Sequence, residues 1–155
     1  RCVSGTLPGG LLLFIKNEEI MDLEAYLSST SGTGIFSTSD SSGRTNAAVY
    51  AKPHVLEDGR IAFIMRDRLS HHNLMSNPRA HYLFVENGGK SHGIRLHLQM
   101  VEETDDAAVV ERYSRRSVSP GDGGRRFFVT FAIVKALELL GDKELTLDSV
   151  PYNEK

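Results

Sequence analysis

From Ile94 to Met100 the apolar residues Ile94, Leu96, Leu98 and Met100 alternate with Arg95, His97 and Gln99, a period of two that predicts a strand with one buried and one polar face. Strands are likewise predicted over Thr33–Ser39, Thr45–Lys52, Ile61–Met65 and His81–Glu86. Each is bounded by turn chemistry: Asp40-Ser41-Ser42-Gly43, Pro53, Glu57-Asp58-Gly59-Arg60 and Asn87-Gly88-Gly89. His54–Leu56 extends the first hairpin. Phe127–Val134 places aromatic and β-branched residues side by side, as in a well-buried strand, and strand is preferred although Ala132–Leu140 alone also fits a helix. Helical spacing of Ile20, Leu23 and Leu27 predicts a short helix from Glu18 to the Ser-rich cluster at Ser28–Gly32. A second helix runs from Ser70, its expected N-cap, to Ser76 before Asn77-Pro78, and a third opens at Thr104-Asp105-Asp106 and reaches Arg116. Ser117–Gly124 reads as a mobile loop. Six or so short strands with two or three small helices predict a mainly β (α+β) chain, a small closed or nearly closed barrel.

The 155 residues suit one domain, expected over 18–155. Residues 1–17 are taken as an N-terminal extension, because the chain opens on Arg1 and Met21 is a candidate start. Eighteen Lys and Arg against 20 Asp and Glu give a net charge of −2. Bulk attraction to nucleic acid or an anionic membrane is therefore not expected, and any anion site has to be local. Cys2 is the only cysteine, which excludes an intrachain disulfide and a cysteine-based zinc site and points to a reducing, cytoplasmic compartment. The longest apolar run, Leu11–Ile15, spans five residues, far short of the roughly 20 that cross a bilayer.

Several motifs suggest chemistry that their context denies. Gly89-Lys90-Ser91 ends like a phosphate-binding loop, yet Phe84 stands where that motif needs Gly and a strand follows where it needs a helix. Gly32-Thr33-Gly34 has Ser37 in place of the third glycine of a dinucleotide fingerprint. His71 and His72 are adjacent and diverge by about 100° on a helix, so they do not converge on one metal ion. His92 and His97 lack a carboxylate at ligand spacing; no metal site is expected. No Gly-x-Ser-x-Gly elbow occurs, and no side chain is assigned as a catalytic nucleophile, acid or base.

The junction from Met65 to Asn73 differs. Arg66 and Arg68 directly follow a strand, and Ser70 then opens a helix whose first N–H groups lack partners within the helix, with His71 and Asn73 as further donors. Such a set suits a dianion, the alternative being an exposed basic loop beside a capped helix.

Ile61–Met65, the polar stretch after it, and Asn73-Leu74-Met75-Ser76-Asn77-Pro78-Arg79-Ala80-His81-Tyr82-Leu83-Phe84 together resemble a strand, phosphate turn and helix–strand passage. That passage belongs to the pyridoxamine 5′-phosphate oxidase-like FMN-binding split barrels. Thr33–Asp40, Gly43, the strand Asn46–Lys52 and the Asp58-Gly59 turn resemble the first two barrel strands of that family. The resemblance covers residues 21 to about 140. It implies a six-stranded split β-barrel with short flanking helices, assembled as a homodimer with FMN in a cleft at the subunit interface. Asn46, Ala47, Ala48, Val49 and Tyr50 would lie against the isoalloxazine ring, largely through backbone groups. Ile64 and Met65 would flank the ribityl chain, and Arg66, Arg68, Ser70, His71 and Asn73 would surround the phosphate. His92 falls where the family often places a polar contact to the flavin.

Departures from the pattern refine the expectation. Ser70 stands where the family commonly has Lys, so positive charge has to come from Arg66, Arg68 or a histidine. Ala47 replaces an Arg of the true oxidase, whose C-terminal substrate segment is not recognisable here. Pyridoxamine phosphate oxidation is therefore not expected. The implied function is a small FMN-dependent oxidoreductase acting on an unknown small-molecule substrate or electron donor. The alternatives are a non-enzymatic flavin carrier, sensor or electron-transfer module, or a barrel for a deazaflavin or haem. Arg115, Arg116, Arg125 and Arg126 flank the glycine loop, either to cover the cleft or as a solvated basic segment.

Overall fold

The computed structural model describes residues 3–6, 12–15, 19–115 and 123–148. Two strands near the N-terminus, β1 (Val3–Thr6) and β2 (Leu12–Ile15), form an antiparallel hairpin separate from the main sheet. β3 (Ile20–Met21) follows, then α1 (Leu23–Ser29), whose N-cap Asp22 accepts a bond from the Ala25 N–H at 2.9 Å. The helix thus begins later than its apolar spacing suggests, because Ile20 and Met21 pair in parallel with β11 (Thr146–Leu147).

Between these ends lie β4 (Gly32–Ser39), β5 (Thr45–Tyr50), β6 (His54–Val55), β7 (Ile61–Arg66), α2 (Leu69–Ser76), β8 (Arg79–Glu86), β9 (Gly93–Thr104), α3 (Ala107–Tyr113) and β10 (Arg126–Glu138). The main sheet has the order β5-β4-β8-β9-β10-β7-β6, with every pairing antiparallel. It curls into a half-barrel: the six-stranded split barrel of the expectation, with the two-residue β6 added at one edge. His54 and Val55 pair with β7, so they do not extend the β4–β5 hairpin. β8 begins at Arg79, two residues before the expected His81. β9 continues past Met100 to Thr104, and α3 starts at Ala107 after the N-cap Asp106, three residues later than expected. Register shifts within the β9–β10 pair accommodate the curvature.

The curl puts one residue of every inward pair into a common core. Phe36, Ile61, Phe63, Met65, Tyr82, Phe84, Leu96, Leu98, Val129 and Phe131 fill the barrel, with Leu23 and Leu27 of α1 packed among them. Phe36 meets Tyr50, Phe63 and Phe131 at ring separations of 5.1, 5.0 and 5.5 Å. The opposite face of β7 and β10 carries Ala62 and Phe128, which α3 covers with Val110. Burial on both faces explains the run Phe127–Phe131, apolar but for the buried Thr130, and settles residues 132–138 as strand. Gly34 shows how tight the interior is: a Cβ there would lie 2.6 Å from the Tyr50 carbonyl and collide with the Tyr82 hydroxyl.

Candidate functional site

α2 lies at the barrel end made by the C-terminal ends of β4, β7 and β9 and the beginnings of β5, β8 and β10, and it packs on β4 and β5. Its buried residues are Ser70, His71, Asn73 and Leu74, three polar and one apolar. A helix docked by such a face is held by directed bonds more than by the hydrophobic effect. Asn73 Nδ2 donates to Thr38 Oγ1 at 3.0 Å, Asn77 Nδ2 to Ser39 Oγ at 2.9 Å, and the Ser41 N–H to Ser76 Oγ at 3.2 Å. Asn46 Nδ2 on β5 donates to Ser70 Oγ at 3.1 Å.

The N-cap of α2 is Arg68, not Ser70. Arg68 makes no capping bond through its side chain, and the first turn holds no acidic residue. Ser70 lies inside that turn, 5% exposed, with its hydroxyl engaged by the strand. The helix start therefore keeps its N–H groups uncapped by a side chain and carries the positive end of the helix dipole.

His71 is the most constrained member. Its ring stacks on Phe127, with centroids 4.0 Å apart and planes 12° from parallel. Nε2 lies 2.6 Å from Glu103 Oε2, and the side chain is 6% exposed. Nδ1 is buried and makes no hydrogen bond, its nearest ionic neighbour being Asp67 Oδ1 at 3.6 Å. Burial pushes the pKa of the Tyr50 phenol above its ordinary value, while its hydrogen bond with Ser70 and the Arg68 charge act in the opposite sense. The Tyr50 side chain therefore belongs to the same corner, where chiefly its backbone groups were expected.

The structure gathers Asn46, Tyr50, Arg68, Ser70, His71 and Asn73 about α2, with Met65 buried and Arg66 ending β7 immediately before it. On β5, Asn46, Ala48 and Tyr50 share the inward face, whereas Ala47 and Val49 point outward, Val49 with 77% exposure. Ile64 packs against the α3 cluster on the outer side of β7. His92 lies in the turn before β9, at the far end of β8. At about 3.3 Å per residue that is roughly 25 Å from α2, so this chain does not bring His92 to the cradle.

Sequence reasoning missed Thr38, Glu103 and Phe127. Thr38 carried a signal, being a polar residue at an inward position of β4 that otherwise alternates with Phe36. The described arginines of the loop have internal partners. Arg115 donates to the Lys52 and Pro53 carbonyls, Arg125 pairs with Asp105 at 2.5 Å, and Arg126 donates to Ser114 Oγ at 3.0 Å. Arg116 and most of the loop 117–124 lie outside the described residues. Among the described residues there is no group of three or more His, Cys, Asp or Glu placed to hold a metal ion, and no helix long and apolar enough to cross a membrane.

No family model and no curated protein matches this sequence. Solved structures do match its fold. An FMN-binding protein from Syntrophomonas wolfei superposes with a TM-score of 0.61 at 18% identity, over 77% of this chain and 84% of that one. A protein from Clostridium acetobutylicum, related to general stress protein 26 of the pyridoxinephosphate oxidase family, gives a TM-score of 0.58 at 16% identity, over 79% and 89%. An F420 reductase gives 0.56 at 12% identity, over 72% and 93%. These likenesses establish the split-barrel fold and agree with the resemblance carried by Ile61–Phe84.

Proposed function

We propose that this protein binds FMN, with the phosphate at the N-terminal turn of α2, and acts as a small flavin oxidoreductase. The observation that carries the reading is the polar docking face of α2, which spends buried hydrogen-bonding side chains on fixing an uncapped helix start at the barrel end. The donor set suits a phosphate monoester: the N–H groups of the first turn, the guanidiniums of Arg66 and Arg68 and the Ser70 hydroxyl, with the unpartnered Nδ1 of His71 beside them. Asn46, Ala48 and Tyr50 on β5 and Met65 on β7 would support the ring and the ribityl chain. Bound FMN supplies hydride or electron transfer; the protein orients it and excludes water.

A homodimer with the flavin at the interface accompanies this reading. Its support is the outer face of β5-β4-β8-β9, which no described helix covers and which presents Val49, Ile35 and Leu83. The likeness to an F420 reductase favours a deazaflavin as the second reading.

Titration of FMN into the purified protein, followed by flavin fluorescence, tests the assignment, with riboflavin as the ligand that lacks the phosphate. Arg68→Ala removes one charge-assisted contact of about 1.5–3 kcal/mol, so Kd for FMN rises roughly 10- to 100-fold while riboflavin binding stays unchanged. Equal FMN affinity in parent and variant displaces the phosphate from this turn.

A further inference from the structure

The geometry points to His71 as a proton-linked reader of the phosphate: the protein takes up a proton at Nδ1 when a phosphate-bearing flavin binds. This inference rests on the placement of the phosphate at α2. A side chain that is 94% buried ordinarily satisfies both ring nitrogens, and His71 satisfies one. Nε2 is held by Glu103 at 2.6 Å, which fixes that nitrogen as the N–H donor. In the neutral ring Nδ1 is then a bare lone pair. An acceptor facing a dianion repels it, whereas the same nitrogen carrying a proton donates an N–H to a phosphate oxygen. Protonation removes the conflict, and the proton comes from solvent: one H⁺ adds to Nδ1, the Nε2–H stays on Glu103, and a charge-assisted N–H···O–P bond forms.

The charged groups around the ring bear on this from every side. Glu103 on β9 and Asp67 before α2 are the carboxylates, 2.6 and 3.6 Å from its nitrogens. Arg125, ahead of β10, sits 4.9 Å over the far partner of the stack, Phe127, but its charge is turned to Asp105. Arg66 and Arg68 flank the turn. Asp67 is 54% exposed, so its carboxylate can leave the Nδ1 side for water as a phosphate arrives.

The linkage has a definite sign. A proton taken up on binding makes affinity rise as pH falls, by up to tenfold per pH unit where the uptake is one proton. Calorimetric titration of FMN near pH 8, in two buffers of different ionisation enthalpy, counts the protons. FMN phosphate is already a dianion there, since its second pKa is about 6. Parent protein is expected to take up a sizeable fraction of one proton with FMN and none with riboflavin. His71→Asn replaces the Nδ1 position by an amide that donates without titrating. The variant loses the uptake and the pH dependence of whatever FMN binding remains. Glu103→Gln, which removes the counter-charge from Nε2, lowers the uptake and serves if His71→Asn fails to fold. FMN binding with no proton uptake by the parent, or with equal uptake in folded His71→Asn, overturns the inference and leaves the flavin reading intact. Failure of FMN to bind at any pH overturns both.

Discussion

If α2 is fixed by polar bonds, breaking the most deeply buried one should measurably loosen the barrel end. Asn73 and Thr38 are 5% and 4% exposed and share a 3.0 Å bond. Asn73→Ala forfeits that bond, a net of about 1 kcal/mol, and leaves the Thr38 hydroxyl buried without its partner, a further 1–2 kcal/mol or so. The sum is about 2–3 kcal/mol. For a chain of 155 residues each kcal/mol lowers Tm by roughly 2–4 °C, so the variant should melt about 5–10 °C below the parent. Thr38→Val strands the Asn73 amide instead and should cost a similar amount. In the double variant neither partner remains to be left unsatisfied, so its loss falls short of the sum of the single losses by about 3–5 kcal/mol. Urea unfolding of the four proteins, followed by circular dichroism, measures that coupling. Losses that add to within about 0.3 kcal/mol would show that Asn73 and Thr38 act independently, and the account of α2 as a polar-docked helix would fail.

Gly34→Ala forces a methyl against the Tyr50 carbonyl and the fully buried Tyr82; it should cost about 1–3 kcal/mol or more, read as a lower urea midpoint with unchanged m-value. Burial, and then the neighbouring His97 and Arg95, hold the His81 imidazole below its ordinary range. The unfolded chain therefore binds more protons than the folded one as pH drops through about 6.5, and stability falls with it until the folded state protonates too. His81→Gln should show a smaller drop in Tm between about pH 7 and 5 than the parent, and an equal drop would refute this origin. Val49→Lys puts a charge on the exposed outer face of β5, so the variant should elute as a monomer in light-scattering chromatography where the parent elutes as a dimer, with the same circular dichroism spectrum. A monomeric parent would refute the dimer.

Much of the barrel was legible because strand patterning is a local property. Phe36, Tyr82, Phe84, Leu96 and Leu98 announce their inward faces by parity alone, and Gly43 and Gly59 mark turns that the backbone takes with positive φ. Errors fell where a segment's fate depended on a distant partner. Ile20 and Met21 carry helical spacing but are claimed by the C-terminal β11, and β9 runs on to Thr104 because β10 is there to pair with it. The cradle divides in the same way. Its sequence neighbours, Arg66 to Asn73, were visible as a run of donors. The contacts that fix their roles come from elsewhere in the chain: Thr38 on β4, Asn46 and Tyr50 on β5, Glu103 on β9 and Phe127 on β10. Local order along the chain thus determined the strands and the charge of the α2 turn. Only closure of the sheet decided that Ser70 is a bonded interior residue and not a cap, that His92 stands at the opposite end, and that His71 is held by one nitrogen with the other left open. Hydrogen bonds and burial depend on separation in space, and the curl of the sheet alone brings residues 38, 46, 71, 103 and 127 to one place.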